Sequence, residues 1–266
     1  MFRSSMRLSL MSQVVNVNTK YLYVMGAESG AGKSTVCLGI LAQLLDSGLA
    51  PEKLAYIKPV TQCVVKQTVA LFCEQTKIPC LDIGSLVFRK GFSRDFIDGL
   101  TKPSDELKAD VLTSILGIGK EKEVVIIDGV GDPSMGSVVG VSNVDVALSL
   151  PCNVIFVGKP GIGAALDNTL LCVSFMQNKG LTNIGIIYNK VPIPAFFEIK
   201  KFITKRLPEL LPEVTLLGFV RDDQIVESCL KDNSSAEIAQ WFGSYVDERT
   251  LICDWLSLKT EKQNLM

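Results

Sequence analysis

From Tyr21 onward, short apolar runs alternate with stretches whose apolar residues recur at helical spacing. The runs predict strands over Tyr21–Met25, Lys53–Ile57, Glu123–Ile127, Asn153–Val157, Asn183–Tyr188 and Val214–Leu217. The third and fourth contain VVII and VIFV without alternation, the pattern of central strands covered on both faces. Helices are predicted over Lys33–Leu45 and Ala164–Met176, and from Ser104, where Asp105 and Glu106 suit a first turn. Beyond them Leu107, Val111, Leu112, Ile115 and Leu116 recur on one face. Such alternation predicts an α/β fold of three layers, a mostly parallel central sheet with helices on both sides. Ligands of such sheets bind beyond the carboxyl ends of the strands, so the residues just after each strand carry the chemistry. The stretch from Ser234 reads as one or two packing helices, and the tail 259–266 as frayed.

Composition narrows the chemistry. The 266 residues are 47% apolar and carry a net charge of −1, which suits one α/β domain over 21–266 and not a disordered chain. Near-neutral charge argues against a nucleic-acid partner held by bulk electrostatics, and no apolar run reaches membrane-spanning length. There is no histidine. Imidazole acid–base chemistry, Ser-His-Asp and Cys-His catalysis and histidine metal sites are therefore excluded. The cysteines are scattered, with no C-x-x-C pair, as buried thiols in a reducing compartment would be. Residues 1–20 hold Arg3, Arg7 and Lys20 among serines, with no acid before Glu28. That leader fits a mitochondrial transit peptide, a disordered tail or an upstream start preceding Met11, so the compartment is the cytosol by default and the mitochondrial matrix on the first reading.

The sharpest signal is Gly26 to Thr35, G-A-E-S-G-A-G-K-S-T, set between the strand YLYVM and the helix VCLGILAQLL. Counted from Ala27 it has the A-x4-G-K-S spacing of a phosphate-binding loop. Gly30 and Gly32 let the backbone curl with its N–H groups towards phosphate. Lys33 suits the β- and γ-phosphates and the Ser34 hydroxyl suits Mg²⁺, with the helix N-terminus favouring an anion. Gly26, Glu28, Ser29, Gly30, Ala31, Gly32, Lys33, Ser34 and Thr35 form the candidate cradle.

The other strand ends add to it. After the second strand, Lys58-Pro59-Val60 places a second lysine where charge on a transferred phosphoryl group would develop. After the third, Asp128-Gly129-Val130-Gly131-Asp132 gives a carboxylate in the Walker-B position, acting on Mg²⁺ directly or through water. The glycines there would let the chain pass close to the γ-phosphate, and Asp132 suits a turn cap with Pro133. Gly158 to Gly163 is either a second anion-facing turn or a sharp strand-to-helix turn. Asn189, after the fifth strand, offers a donor and an acceptor to a base edge. The segment Phe88–Gly99 mixes Arg89, Lys90 and Arg94 with three phenylalanines and fits a substrate-side lid, an interface or a solvated amphipathic turn.

Together the loop, the K-P-V, the D-G-V-G and the N-K-V resemble the dethiobiotin synthetase family, over about Tyr21 to Asp222. That family is itself similar to the nucleotide domain of cobyric acid synthases and the N-terminal domain of long phosphotransacetylases. The resemblance implies a P-loop NTPase fold, a homodimer, and an ATP-dependent ligase that phosphorylates a carbamate before an amine displaces phosphate. By the same resemblance Lys33 and Lys58 hold phosphate and carbamate oxygens, Ser34 and Asp128 the metal, and Asn189 the adenine. Lys33, Lys58 and Asp128 are then the catalytic candidates.

The chain also departs from that family. A further metal-binding acid is expected on the helix after K-P-V, where Gln67 and Thr68 stand. The hydroxyl expected near that motif is replaced by Gln62, beside Thr61, and the closing I-P is Val220-Arg221. Three functions follow: an ATP- and Mg²⁺-dependent ligase or phosphoryl-transfer enzyme acting on a small carboxylate or carbamate, a nucleotide-binding module without chemistry, and a GTPase-like switch. D-G-V-G and N-K fit the last, but Pro192 stands where the guanine-selecting Asp belongs.

Overall fold

The computed structural model describes residues 18–62, 67–223, 225–232 and 234–258. The leader, as far as residue 17, lies outside the described residues, as do Cys63 and the tail 259–266. The central sheet runs β4-β2-β6-β1-β7-β8-β9, and every pair in it is parallel. Its strands are β1 (Lys20–Gly26), β2 (Leu54–Ile57), β4 (Cys80–Leu81), β6 (Val124–Asp128), β7 (Cys152–Gly158), β8 (Ile184–Val191) and β9 (Thr215–Arg221). The six predicted strands are all present, most extended by one to four residues at the carboxyl end. The short edge strand β4 and a two-stranded ribbon of β3 (Val60–Thr61) with β5 (Leu86–Val87) were not foreseen.

Side-chain alternation along β1 builds the three layers. Tyr21, Tyr23 and Met25 enter one core, Leu22 and Val24 the other. The first core is closed by α4 (Ser104–Ile118), α5 (Asn143–Ala147), α6 (Gly163–Asn178) and α7 (Phe196–Leu210). The second holds α1 (Lys33–Asp46), α2 (Thr68–Thr76), α8 (Ile225–Lys231), α9 (Ser235–Gly243) and a π-helical segment, Arg249–Trp255. Helix α4 starts where expected, but Pro103 stands at its boundary and Ser104 is already its first residue, making no capping bond. Asp105 and Glu106 supply the negative charge that the first turn favours. No helix of the described residues is long and apolar enough to cross a membrane.

Helix α1 is buried almost all round, so something must cover its outer side. Helix α9 does, at Gly39, where a Cβ would lie 2.3 Å from the Phe242 ring. The Gln43 amide donates to the Val246 carbonyl at 3.1 Å and fixes the same junction. The C-terminal segment thus braces the helix that begins at the glycine-rich loop. Phe242 is fully buried, so Phe242→Ala should cost about 3–5 kcal/mol of stability. Urea unfolding reads this directly, and a loss below about 1 kcal/mol would show that the bracing contact is unimportant.

Candidate functional site

Strand β1 lies between β6 and β7, and the chain leaves it first towards one side of the sheet and later towards the other. The loop after β1 therefore sits at the switch point where α/β sheets open a crevice. In that loop Gly30 and Gly32 stand at φ +84° and +87°, the left-handed region that a Cβ opposes. At Gly32 a Cβ would also strike the Asn189 amide nitrogen at 2.0 Å. Glu28, Ser29 and Gly30 are exposed, Ala31 is buried, and Ser34 and Thr35 are half-buried at the start of α1. Lys33 is 7% exposed and folds back across the loop, donating to the Glu28 carbonyl at 3.2 Å. Burial pulls its pKa down, and the Asp128 carboxylate acts against that shift.

Register brings the second lysine to the acid. Strands β2 and β6 pair Ile57 with Ile127, so Lys58 and Asp128 leave the sheet side by side. Lys58 Nζ lies 2.9 Å from Asp128 Oδ2, with the Asp128 side chain fully buried and that of Lys58 11% exposed. The same oxygen accepts from Ser34 Oγ at 2.7 Å and from the Tyr56 hydroxyl at 2.7 Å. Asp128 Oδ1 is buried and has no partner among the described residues. Burial, followed by the Asp128 charge, pushes the Tyr56 phenol well above its usual range and keeps it a donor. Sequence reasoning missed Tyr56. Its signal was its place on β2 two residues before Lys58, the spacing at which extended chain puts side chains on one side.

Asn143 was missed as well. Its amide donates to the carbonyls of Val130 and Asp132 at 2.7 and 2.6 Å, and its oxygen accepts from Val130 N–H and Tyr23 O–H. This buried side chain ties Val130 and Asp132 of the loop after β6 to Tyr23 of β1. It also explains Gly129, whose Cβ would lie 2.6 Å from Asn143 Oδ1 and 2.9 Å from the Val24 carbonyl oxygen. The glycine is required by packing against β1, a reason that the sequence reading did not include. Asp132 does cap its turn, accepting from the Ser134 N–H at 2.8 Å.

The remaining loop residues spread around this centre. Lys159 lies 3.5 Å from the Glu28 carboxylate and ties the β7 loop to the glycine-rich loop. Asn189 is 2% exposed and gives its amide to the Ala31 and Gly32 carbonyls at 3.0 and 3.3 Å. A base could then meet only its oxygen unless those bonds open. Lys190 has φ +55° within a β-bulge between Tyr188 and Val191. Gln67 and Thr68 open α2 and bring no carboxylate to the site. The segment Phe88–Gly99 forms α3 (Phe92–Ile97) and lines a cavity beside Gln62.

A parallel sheet, a glycine-rich loop on a helix N-terminus and a carboxylate on the adjacent strand define a P-loop NTPase-type domain. The chain belongs to the AAA_26 family, described as an AAA domain, whose profile matches residues 20–227; this is the dethiobiotin synthetase-like P-loop family. It is 24% identical over 210 residues to the ATP-dependent dethiobiotin synthetase BioD of Methanococcus vannielii, spanning 76% of this chain and 93% of that protein. The fold is similar to that in the MinC:MinD cell division protein complex of Aquifex aeolicus, with a TM-score of 0.54 at 11% identity, covering 85% of this chain and 95% of that one. It is also similar to that of a McdA variant from Cyanothece in its ATP complex, with a TM-score of 0.50 at 12% identity over 91% and 98% of the two chains.

The ion pair makes a prediction about stability. Lys58→Met leaves the buried Asp128 charge without its cation and should cost about 3 kcal/mol, the low end for such a loss because Ser34 and Tyr56 still donate. Adding Asp128→Asn removes the stranded charge and should recover part of that stability in the same unfolding assay. Equal stability of wild type and Lys58→Met would contradict the pairing.

Proposed function

We propose that this chain binds Mg-ATP at the glycine-rich loop and transfers the γ-phosphoryl group to a small carboxylate or carbamate, as a ligase similar to dethiobiotin synthetase. The convergence of Lys58, Ser34 and Tyr56 on the buried Asp128, next to Lys33, carries this reading. In the reaction an acceptor oxygen bonds to the γ-phosphorus while the bond from that phosphorus to the ADP oxygen breaks. The electron pair leaves with ADP, and a second nucleophile later displaces phosphate from the activated acceptor. Phosphoryl transfer depends mainly on positioning and charge, which a histidine-free site can provide. Lys33 and Lys58 supply two cations where negative charge collects, and the loop N–H groups orient the phosphates.

The residues present fit Mg²⁺. The Ser34 hydroxyl and the unpartnered Asp128 Oδ1 are hard oxygen donors, enough for a cation that takes its other ligands from phosphate and water. When bound, Mg²⁺ would neutralise charge on the β- and γ-phosphates. The absence of an acid at Gln67 and Thr68 favours a second reading, a nucleotide-binding module without chemistry. Pro192 in place of a guanine-selecting acid supports ATP over GTP.

Calorimetric titration with Mg-ATP and Mg-GTP tests the nucleotide part. ATP should bind at least as well as GTP, and Lys33→Ala should weaken it by about 100-fold, the scale of a strong charge-assisted contact. Unchanged affinity in that variant would refute the loop assignment. Phosphate release stimulated by carboxylates, or by bicarbonate with diamines, supports the ligase. Tight ATP binding with no stimulation by any acceptor supports the module.

A further inference from the structure

A cavity of about 460 Å³ lies between α3 and the loop after β6. Its lining combines the apolar Phe88, Phe92 and Val139 with the cationic Arg89, Lys90 and Arg94. No Asp or Glu is among its lining residues. Arg89 is engaged by Asp95 at 2.5 Å, whereas Lys90 and Arg94 make no ion pair among the described residues. Both walls lead back to the candidate site. The Phe88 N–H donates to the Thr61 carbonyl at 2.8 Å, three residues past Lys58. On the other wall Met135, also a lining residue, packs against Gly131, three residues past Asp128.

With Asp95 taken up by Arg89, the Lys90 and Arg94 cations repel one another over an apolar surface and favour a ligand that brings negative charge and covers the rings. A ligand with ammonium groups would add to the repulsion. We propose that this cavity binds an organic dianion with an apolar body, either a dicarboxylate or an alkyl phosphate. Describing a dicarboxylate as the phosphoryl acceptor rests on the function proposed above; the binding of a dianion does not. Lys90 and Arg94 would hold the phosphate of an alkyl phosphate or the carboxylate of a dicarboxylate remote from Lys58, with the hydrocarbon part against Phe88 and Phe92. The acceptor would then differ in charge from a diamino acid.

Four probes with matched eight-carbon chains test this on the full chain by calorimetry: suberate, octyl phosphate, octanoate and 1,8-diaminooctane. At least one of the first two should bind about tenfold tighter than octanoate, one charge-assisted contact's worth, and the diamine should not bind. Suberate alone would identify a dicarboxylate, octyl phosphate alone a phosphomonoester. Arg94→Gln and Lys90→Gln should each weaken the dianion about tenfold, while Lys200→Gln on α7 should not. Both cavity lysine and arginine are exposed, so thermal unfolding should show the variants folded. Octanoate or the diamine binding as well as the dianions, or no effect of either cavity variant, would overturn the proposal. Mg-ATP titration of the wild type separates the two readings. Dianion binding without ATP binding removes the proposed function and leaves the cavity site, and ATP binding with all four probes silent does the reverse.

Discussion

A carboxylate with no exposure to water must have its charge answered by the protein. Asp128 is answered by Lys58, Ser34 and Tyr56, all on one oxygen. Removing two charges from water costs several kcal/mol per ion, and only good geometry and further hydrogen bonds offset it. Those donors belong to β2, the residue following β2, and the first turn of α1, while the acceptor ends β6. One buried charge therefore couples the strand register to the start of the glycine-rich loop's helix. A register slip of one residue between β2 and β6 would separate Lys58 from Asp128 and turn each side chain to the wrong face.

The same interaction sets two lysines of unequal engagement beside the glycine-rich loop. Among the described residues Lys33 bonds only a backbone carbonyl, and Lys58 shares its acceptor with two hydroxyls. An anionic oxygen would offer Lys33 a stronger partner than that neutral carbonyl. The second oxygen of Asp128 is buried and has no hydrogen-bond partner among the described residues. Around this centre the loops are held by side chains from distant elements: Asn189 grips the glycine-rich loop, Asn143 the loop after β6.

The sheet was legible because its central strands are buried on both faces and read as unbroken apolar runs. Their carboxyl ends were read short, since the pairing continues into Gly26, Asp128 and Gly158, residues that break an apolar pattern. The strands β3, β4 and β5 have two residues each, too few for any periodicity. In the site, the glycine-rich loop announced itself through spacing, and Lys58 and Asp128 through their positions after strands. Tyr56 did not, because within LAYI it reads as one more buried strand residue. Asn143 lies 13 residues beyond Val130, so only the fold reveals its grip on that loop. The family match runs over residues 20–227 and so includes every strand end that carries these motifs. Gln62, Gln67, Thr68 and the Val220-Arg221 pair depart from the pattern that the resemblance implies, and Gln62 lines the cavity beside α3.

Phosphoryl transfer to an acceptor is the central claim, and positional isotope exchange tests it without knowledge of the final product. ATP labelled with ¹⁸O at the β,γ-bridge is incubated with the protein, Mg²⁺ and suberate, and then recovered. The account predicts that the label scrambles into the β-nonbridging positions only when the carboxylate is present, because ADP forms and rotates before the step reverses. ATP that is bound but recovered unscrambled, with and without acceptor, would contradict it.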